Sequence, residues 1–407
     1  MSLHYLLYIP TITVGAQDQI KRILVTDTQK QLKRRAFAVG EGIDGVHTSG
    51  PHAWQKRILL RALSIKHIRS MEPIVRQTVQ QLALTDDKGT KEIDMYPVAV
   101  AIVQKAFTRL LYGDHLGLSE AEMNQASQNL RTLVDNIYPH GIVVLYFRPL
   151  ARVLRYFSST MTCTLKAMDG IDSLQNRVLE RWMETKDKES MDGLLFKLLT
   201  AAAEEVERPM PLNIVRDNML SLTIGGVDST ASGVLFTLIA LASHTEWQTK
   251  VREEIANAQT EHISDGLPIL NAVVSESLRL YPPFPESFPR VVDTNGYTMS
   301  GYHLPRGVMV TCHLMALHRD PAYWSDADRF DPSRFMDTSS HSQWYLPFGA
   351  GPESCIGKKL ALITIRTAVA EFVRLYSFSV TKPIETGTFY VTLAPQNNEA
   401  YFSISRI

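Results

Sequence analysis

The longest uninterrupted helical pattern in this sequence runs from about residue 213 to about residue 244. At roughly 1.5 Å per residue, a helix of this length is about 50 Å long and crosses an entire globular protein. Residues 229–245 carry no charged side chain, but they are rich in Ser, Thr and Ala and directly follow Asp228. Because a membrane helix needs about 20 apolar residues, we predict a buried central helix of a large protein instead.

The segments on either side of this helix predict a mainly α-helical protein with small β-sheets, an α+β fold. Short apolar runs between turn residues predict strands, and apolar positions at helical spacing predict helices. We find no internal repeat or linker, and we predict a single domain over residues 1–407. The expected elements, in order, are strands near 5–15, a short helix near 16–27, a mobile loop over 36–51, helices from His52 to about 285 with a loop at 204–213, hairpins after 285, a helix from about Cys355 to Tyr376, and closing strands.

The composition disfavours several classes of function. With 45% hydrophobic and 21% charged residues, the chain is typical of a globular protein rather than a disordered or collagen-like one. The 42 basic and 42 acidic side chains cancel to a formal net charge of zero, which disfavours nucleic-acid binding as a main function. Three cysteines, Cys163, Cys312 and Cys355, are too few for a disulfide framework and favour a reducing compartment.

Two adjacent glycines interrupt the middle of the predicted central helix. Gly225 and Gly226 each cost about 1 kcal/mol relative to alanine. One interpretation is a close helix crossing that leaves no room for side chains. The other is a local opening of the helix beside a bound group, with Asp228, Ser229 and Thr230 bringing an acid and two hydroxyls to it.

A glycine-rich loop places a cysteine just before the last predicted helix. Cys355 stands in PFGAGPESCIGKKLALITIR, with its sulfur near the helix N-terminus. Amide N–H groups and the helix dipole stabilise a thiolate at such a position. The sulfur is a structural thiol, a soft metal ligand or a nucleophile. The last is the weakest interpretation, because the nearest histidine in sequence, His341, has nothing triad-like around it.

Cys355 belongs to one of four motifs that occur in a fixed order along the chain. Phe348, Gly351, Cys355 and Gly357 form the pattern F-x-x-G-x-x-x-C-x-G. Before it come GGVDST at 225–230, an E-x-x-R helix at 276–279 and P-x-R-F at 332–335. An isolated E-x-x-R has no weight, but the four motifs together resemble the cytochrome P-450 family of haem-thiolate monooxygenases. The resemblance extends from about residue 5 to the end of the chain.

The resemblance implies haem b, iron protoporphyrin IX, with Cys355 as the iron ligand. A thiolate on haem iron favours O–O cleavage. The two glycines of the motif would let the backbone approach the macrocycle, and a His and a Lys at i and i+4 on one helical face, together with an Arg, would bind the propionates. The haem-contacting residues implied in this way are His52, Lys56, Arg290, Phe348, Gly351, Cys355 and Gly357.

Glu276 and Arg279 lie three residues apart on one helical face. Taken alone, such a pair predicts a surface ion pair worth under about 1 kcal/mol. The resemblance implies instead a buried network with Arg334 that holds the intervening segment beneath the Cys355 loop. The role of these three residues is then structural.

Asp228 and Ser229 stand where the family keeps an acid followed by threonine. The resemblance makes them, with Thr230, the catalytic candidates that deliver protons. Serine lacks the methyl group that limits the rotamers of threonine. Two other departures are Glu353, where the family has Arg or His two residues before the cysteine, and a chain that begins almost directly in the first strands. Relative to the family, we therefore expect an N-terminus truncated before the first strands, without the anchor region.

The activity implied by the resemblance is insertion of one oxygen atom of O2 into a lipophilic small molecule. Electrons would come from NADPH through a partner reductase with an acidic docking surface, facing Lys358 and Lys359. One alternative is a reductase-independent isomerase or dehydratase, which the retained Asp228 and Ser229 disfavour. Another is a non-enzymatic relic of the fold with weak haem binding, which Glu353 and the short start favour.

The loop from Phe348 to Cys355 and the P-x-R-F motif at 332–335 are closer to those of eukaryotic, microsomal members of the family than to bacterial ones. This predicts a location at the surface of the endoplasmic reticulum membrane if the full-length protein carries an anchor. The chain as given is expected to be soluble and intracellular.

Overall fold

The computed structural model describes residues 2–6, 9–27, 32–34, 53–82, 84–85, 89–114, 116–136, 148–188, 191–205, 210–258, 262, 266–293, 296–337, 343–387 and 392–407. Helices dominate the described residues and the sheets are small, so the predicted mainly α-helical fold with small β-sheets is confirmed. His52 and the mobile loop predicted over 36–51 lie outside the described residues.

The helices follow the chain as short N-terminal and long central elements. A π-helical turn at Arg22–Thr26 directly continues the first of them. The helices are α1 Gln17–Lys21, α2 Ala53–Ala62, α3 Ile65–Arg69, α4 Met71–Gln80, α5 Met95–Tyr112, α6 Glu120–Asp135, α7 Arg148–Leu154, α8 Ser159–Glu184, α9 Leu194–Ala203, α10 Leu212–Ser243, α11 Thr245–Asn257, α12 Pro268–Leu280, α13 Leu314–Leu317 and α14 Lys358–Leu375.

The central helix is α10, and its bounds agree with the predicted ones to within one residue. It packs against α5, α12 and α14, and Val234 and Leu238 are completely buried. Among the described residues this is the one helix long and apolar enough to cross a membrane, and 76% of its most apolar window is buried within the fold. A helix that is apolar on all sides is expected where other helices surround it.

Three small sheets flank the helices within the described part of the chain, and they include the predicted N-terminal strands, hairpin and closing strands. The strands are β1 Ser2–Leu6, β2 Ile9–Val14, β3 Leu32–Arg34, β4 Lys91–Asp94, β5 Arg290–Val292, β6 Tyr297–Met299, β7 Tyr302–Leu304, β8 Met309–Cys312, β9 Tyr376–Val380 and β10 Tyr401–Arg406. One sheet has the order β1-β2-β8-β5-β3 with β2 and β8 parallel, another the antiparallel order β4-β10-β9, and β6 and β7 form a hairpin.

Candidate functional site

Residues 346–357 form a loop immediately before α14, called the Cys loop below. The loop folds back on itself, since the amide of Cys355 donates to the carbonyl of Phe348 at 2.9 Å. Helix α14 has 18 residues and begins at Lys358, three positions after Cys355. The sulfur therefore lies close to the N-terminus of a long helix, where the amides and the helix dipole favour a thiolate.

The environments of the three cysteines differ. Cys312 is buried in β8, and burial raises the pKa of its thiol to about 12, so it stays protonated. Cys163 is exposed and lies within helix α8 rather than in a loop before it. Cys355 combines an exposed side chain with the N-terminus of α14. This donor chemistry fits a thiolate-ligated haem iron.

The two glycines of the cysteine motif have different neighbours. Gly351 has φ +70°, and a Cβ there would lie 2.3 Å from the carbonyl oxygen of Leu24. The π-helical turn Arg22–Thr26 therefore already requires glycine at 351. The predicted approach of this backbone to the macrocycle stays a prediction. A Cβ at Gly357 would lie 3.8 Å from the Cys355 sulfur, which places this glycine beside the predicted iron ligand.

Lys56 of α2 reaches the Cys loop. Its Nζ donates to the carbonyl oxygens of Pro352 and Ser354 at 2.8 and 2.7 Å. These two carbonyls flank Glu353. The ammonium of Lys56 therefore lies beside the position where the sequence resemblance implied Arg or His and this chain has the anion Glu353. The structure thus brings Lys56 to the loop that carries Cys355, and its contact with a propionate stays a prediction.

The neighbouring arginines of α2 have a different partner. Arg57 and Arg61 both pair with Glu205, with N–O distances of 3.1 and 2.8 Å, and the carboxylate is buried. Glu205 lies more than a hundred residues further along the chain, so the sequence did not predict this pairing. Glu205 lies just after the end of α9, and its single negative charge pairs with both arginines. These pairs hold the two side chains of α2 beside the end of α9.

Arg290 begins β5 and is 3% exposed. Its Nη1 donates to the carbonyl oxygen of Phe288 at 2.9 Å. His52, the remaining predicted propionate ligand, lies outside the described residues. The structure thus places Lys56 at the Cys loop and Arg290 on the five-stranded sheet.

Glu276 and Arg279 of α12 are completely buried, so a surface ion pair does not describe them. Arg279 donates from Nε and Nη2 to the two carboxylate oxygens of Glu276, at 2.7 and 2.8 Å. It also donates to the carbonyls of His318, Ala327 and Arg329, at 2.6, 2.7 and 3.2 Å. All five guanidinium N–H groups thus have an acceptor, which offsets the desolvation of the buried charge.

Arg334 lies in the short 3-10 turn Pro332–Phe335, next to this pair. Its Nε is 3.4 Å from Oε1 of Glu276, and the amide of Asp331 donates to the same oxygen at 2.8 Å. The three side chains predicted to form a network therefore lie together. They fix the segment from His318 to Arg334 against α12.

His318 connects this network to the Cys loop. Its Nε2 accepts a hydrogen bond from the amide of Leu346 at 2.8 Å, and its Nδ1 lies 3.2 Å from the carbonyl oxygen of Arg279. An amide N–H can only donate, so Nε2 is unprotonated and Nδ1 carries the proton. Burial lowers the pKa of His318 to about 3, which keeps the ring neutral. The sequence assigned no role to this residue, because its partners lie 28 and 39 positions away.

Gly226 marks a close crossing between the central helix and α5. A Cβ at Gly226 would lie 2.0 Å from Cζ of Phe107. The helix continues from Leu212 to Ser243 across this point. The structure therefore supports the close crossing at Gly226, and a local opening beside a bound group stays a prediction.

The three catalytic candidates follow this crossing on the central helix. Asp228 and Ser229 are half-buried and Thr230 is buried. Ser229 donates from Oγ to the carbonyl of Gly225 at 3.0 Å, one turn back. The carboxylate of Asp228 accepts a hydrogen bond from the hydroxyl of Thr392. Thr392 lies outside all four motifs, and no sequence signal connects it with Asp228.

Comparison with known sequences gives matches along nearly the whole chain. A sequence model of the family described as Cytochrome P450 matches residues 1–401. Cytochrome P450 3A6 of Oryctolagus cuniculus is 26% identical over 394 residues, which cover 92% of this chain and 78% of the rabbit protein. Mitochondrial cytochrome P450 11B of Aquarana catesbeiana is 26% identical over 337 residues, 78% of this chain. That match covers 63% of the frog protein, less than two thirds of its length.

Solved structures give the same fold. Cyanobacterial CYP120A1 bound to retinoic acid superposes with a TM-score of 0.82 at 19% identity, over 100% of this chain and 91% of that chain. A zebra fish cytochrome P450 with progesterone superposes with a TM-score of 0.78 at 21% identity, over 99% of this chain and 96% of that chain. At these identities the likeness shows the fold alone, and the predicted fold is confirmed.

Proposed function

Because this chain belongs to the cytochrome P450 family, whose members are haem-thiolate monooxygenases, we propose that it inserts one oxygen atom of O2 into a lipophilic small molecule. Electrons come from NADPH through a partner reductase in this proposal. The observation that carries it is the place of Cys355, exposed at the N-terminus of α14 in a loop fixed by Lys56 and by the backbone near Gly351.

Haem b is the cofactor in this proposal, and when bound it supplies the activation of dioxygen. Cys355 is its protein ligand, and Phe348, Gly351 and Gly357 shape the loop around the sulfur. The buried network of α12 supports this assignment, since His318 ties it to the first residue of the Cys loop. A ligand loop held from several sides keeps its donor atom in one orientation.

The propionates need cations, which we assign to His52, Lys56 and Arg290. The contacts of Lys56 with Pro352 and Ser354 support its part, because they hold an ammonium beside the loop of the ligand. The same contacts place positive charge next to Glu353, which reduces the repulsion that this anion would exert on a propionate.

Proton delivery is the proposed task of Asp228, with Ser229 and Thr230 as hydroxyl-bearing neighbours. A carboxylate that shares a hydrogen bond with a hydroxyl can orient a water molecule and exchange protons with it. The retention of this acid is what favours a monooxygenase over a reductase-independent isomerase or dehydratase.

The partner reductase is proposed to dock at Lys358 and Lys359, which are exposed in the first turn of α14. Both lie within four residues of Cys355, so an acidic partner bound there would be close to the ligand loop. The protein itself is proposed to act at the surface of the endoplasmic reticulum membrane. Cell fractionation of the tagged full-length protein tests this location, and enrichment with mitochondrial markers, as the name of the frog relative suggests for that protein, would contradict it.

The absorption spectrum of the reduced protein with carbon monoxide tests the central assignment. We expect the purified parent to show a thiolate-type Soret band, and Cys355→Ala to lose it because the other two cysteines, Cys163 on α8 and Cys312 in β8, lie outside the Cys loop. Cys163→Ala and Cys312→Ala are matched controls that should keep the band.

Two outcomes would overturn the assignment. A thiolate-type band that survives in Cys355→Ala would mean that another residue binds the iron. A well-folded parent that takes up no haem would favour the non-enzymatic alternative, in which Glu353 has weakened the haem site.

A further inference from the structure

The acid of the central helix is bound by a hydroxyl from the C-terminal part of the chain. Oγ1 of Thr392 donates a hydrogen bond to Oδ2 of Asp228, across 164 residues of sequence. We propose that Thr392 is a positioning residue that holds the Asp228 carboxylate and supplies its hydroxyl partner. This inference rests on the proposed function of Asp228 in proton delivery.

Ser229, the residue that the sequence predicted as this partner, is engaged elsewhere. Its Oγ donates to the carbonyl of Gly225 at 3.0 Å. A hydroxyl has one proton, so a serine that donates to its own helix does not donate to Asp228 at the same time. Serine side chains in helices commonly form this bond to the carbonyl one turn back.

The position of Thr392 is fixed by the residue that follows it. The amide of Leu393 donates to the carbonyl of Pro283 at 2.8 Å, and the carbonyl of Leu393 accepts from Oγ of the buried Ser232 at 2.7 Å. Ser232 lies four residues after Asp228, on the same face of the central helix. Two consecutive residues of the C-terminal segment therefore bind two consecutive positions of one helix face.

The contact places a hydroxyl group directly beside the Asp228 carboxylate, as proton transfer between an acid and a hydroxyl requires. The β-branched side chain of threonine restricts the direction of its hydroxyl, and the bond to Oδ2 restricts that of the carboxylate. The oxygen of Thr392 keeps lone pairs that can accept a hydrogen bond from water. When Asp228 is protonated, its carboxyl can give a proton to Oγ1 of Thr392 while Oγ1 releases its own hydroxyl proton to the bound water. Uptake of a proton from solvent then restores the acid, so protons are conserved along the pair.

A double-mutant cycle in urea unfolding tests the contact without any use of the haem. The cycle combines Asp228→Ala with Thr392→Val, which is nearly isosteric but has no hydroxyl. We expect the double variant to be clearly more stable than the sum of the two single changes predicts, because each single change already removes the bond. Thr386→Val is the matched control, since Thr386 is exposed on the same C-terminal segment, and it should add to Asp228→Ala without coupling.

Peroxide released per NADPH consumed, with an NADPH-dependent reductase, tests the positioning role. We expect Thr392→Val to keep the thiolate-type carbon monoxide band and to release several-fold more peroxide than the parent. Thr392→Ser retains the hydroxyl and should restore the ratio toward that of the parent, whereas Thr386→Val should equal the parent.

The outcomes separate this inference from the proposed function. A parent without the thiolate-type band contradicts the proposed function itself. A normal band together with an unchanged peroxide ratio in Thr392→Val overturns the role of Thr392 alone, as does an additive unfolding cycle. If Thr392→Val does not fold, Thr392→Ala removes the same hydroxyl with less crowding and is judged by the same criteria.

Discussion

At the scale of single residues, the buried charge of Arg279 depends on acceptors from three separate carbonyls as well as on Glu276. Removing an ion pair from water costs several kcal/mol per ion, and a single partner seldom recovers that cost. Here the segment that carries His318, Ala327 and Arg329 wraps around the guanidinium. The pair on α12 and the wrapping segment therefore stabilise each other, and neither is expected to keep its conformation without the other.

The neutral ring of His318 predicts a specific dependence of stability on pH. The folded ring stays neutral down to a pKa of about 3, whereas a histidine of an unfolded chain takes up a proton below about pH 6.5. Since the unfolded chain then binds the extra proton, the free energy of unfolding falls between these pH values, by up to about 1.4 kcal/mol per pH unit. We expect His318→Gln, which cannot titrate, to be less stable than the parent at pH 7.5 but to lose stability less steeply toward pH 4.

Urea unfolding of the parent and the variant at a series of pH values measures both slopes. His303→Gln, at an exposed position of β7, is the matched control and should keep the slope of the parent. Equal slopes for the parent and His318→Gln would contradict a ring that is neutral in the fold.

The sequence predicted the partners in the network of Glu276 but not the reason for their burial. Glu371 and Arg374 of α14 have the same spacing and also pair, yet the side chain of Arg374 is 47% exposed. Glu371 itself is buried, so spacing alone cannot distinguish a fully buried pair from one whose cation reaches solvent. The order of the four motifs made that distinction for Glu276, whereas Thr392 and His318 have contacts that only the folded chain brings together.

At the scale of helices and strands, the crossing at Gly226 predicts the effect of one added methyl group. Alanine is the better helix former by about 1 kcal/mol, but its Cβ would lie 2.0 Å from Cζ of Phe107, whose ring is buried. We expect Gly226→Ala to lower the free energy of unfolding by about 1–3 kcal/mol, as over-packed cores do. Phe107→Leu should recover part of this loss when the two changes are combined, and urea unfolding measures each step.

Gly170→Ala is the matched control within a helix. A Cβ there would meet Nδ2 of Asn129 at 2.2 Å, and that amide is the tip of a half-buried side chain that can turn away. This variant should be as stable as the parent or slightly more stable. A loss of stability as large as that of Gly226→Ala would mean that the contact with Phe107 is not what excludes alanine.

The elements that local patterns predicted well are those whose burial follows from their own sequence. The central helix is apolar over its whole length, so its bounds could be predicted to within one residue. Strand β4 was missed inside a stretch predicted as helical. It is short, and its partner β10 lies about three hundred residues further along the chain, as in the pairing of Asp94 with Tyr401. A strand that depends on such a distant partner leaves little trace in its local sequence.

At the scale of the whole molecule, the zero formal net charge removes any overall attraction for a charged partner. Several cations are also paired within the fold, as Arg57 and Arg61 are with Glu205. Attraction of the proposed acidic reductase would then depend on local positive charge. Lys358 and Lys359 provide such charge in the first turn of α14, where the helix dipole makes a cation unfavourable for the helix itself.

Reversal of the charge at Lys359 tests this dependence on local charge. Nζ of Lys358 lies 5.8 Å from the ring centre of Phe348 in the Cys loop, so changing Lys359 alone leaves that contact intact. We expect Lys359→Glu to lower the rate constant for reduction by the reductase roughly tenfold at low ionic strength, and the difference to shrink as salt screens the charges. Stopped-flow formation of the carbon monoxide band measures this rate. The carboxylate of Lys359→Glu favours the first turn of α14, so a slower rate cannot be attributed to a weakened helix.

Lys166→Glu on α8 is the matched control, because it makes the same charge change at an exposed position of another helix. It should leave the rate of reduction unchanged. An equal loss in Lys166→Glu, or a loss in Lys359→Glu that persists at high salt, would place the docking surface elsewhere.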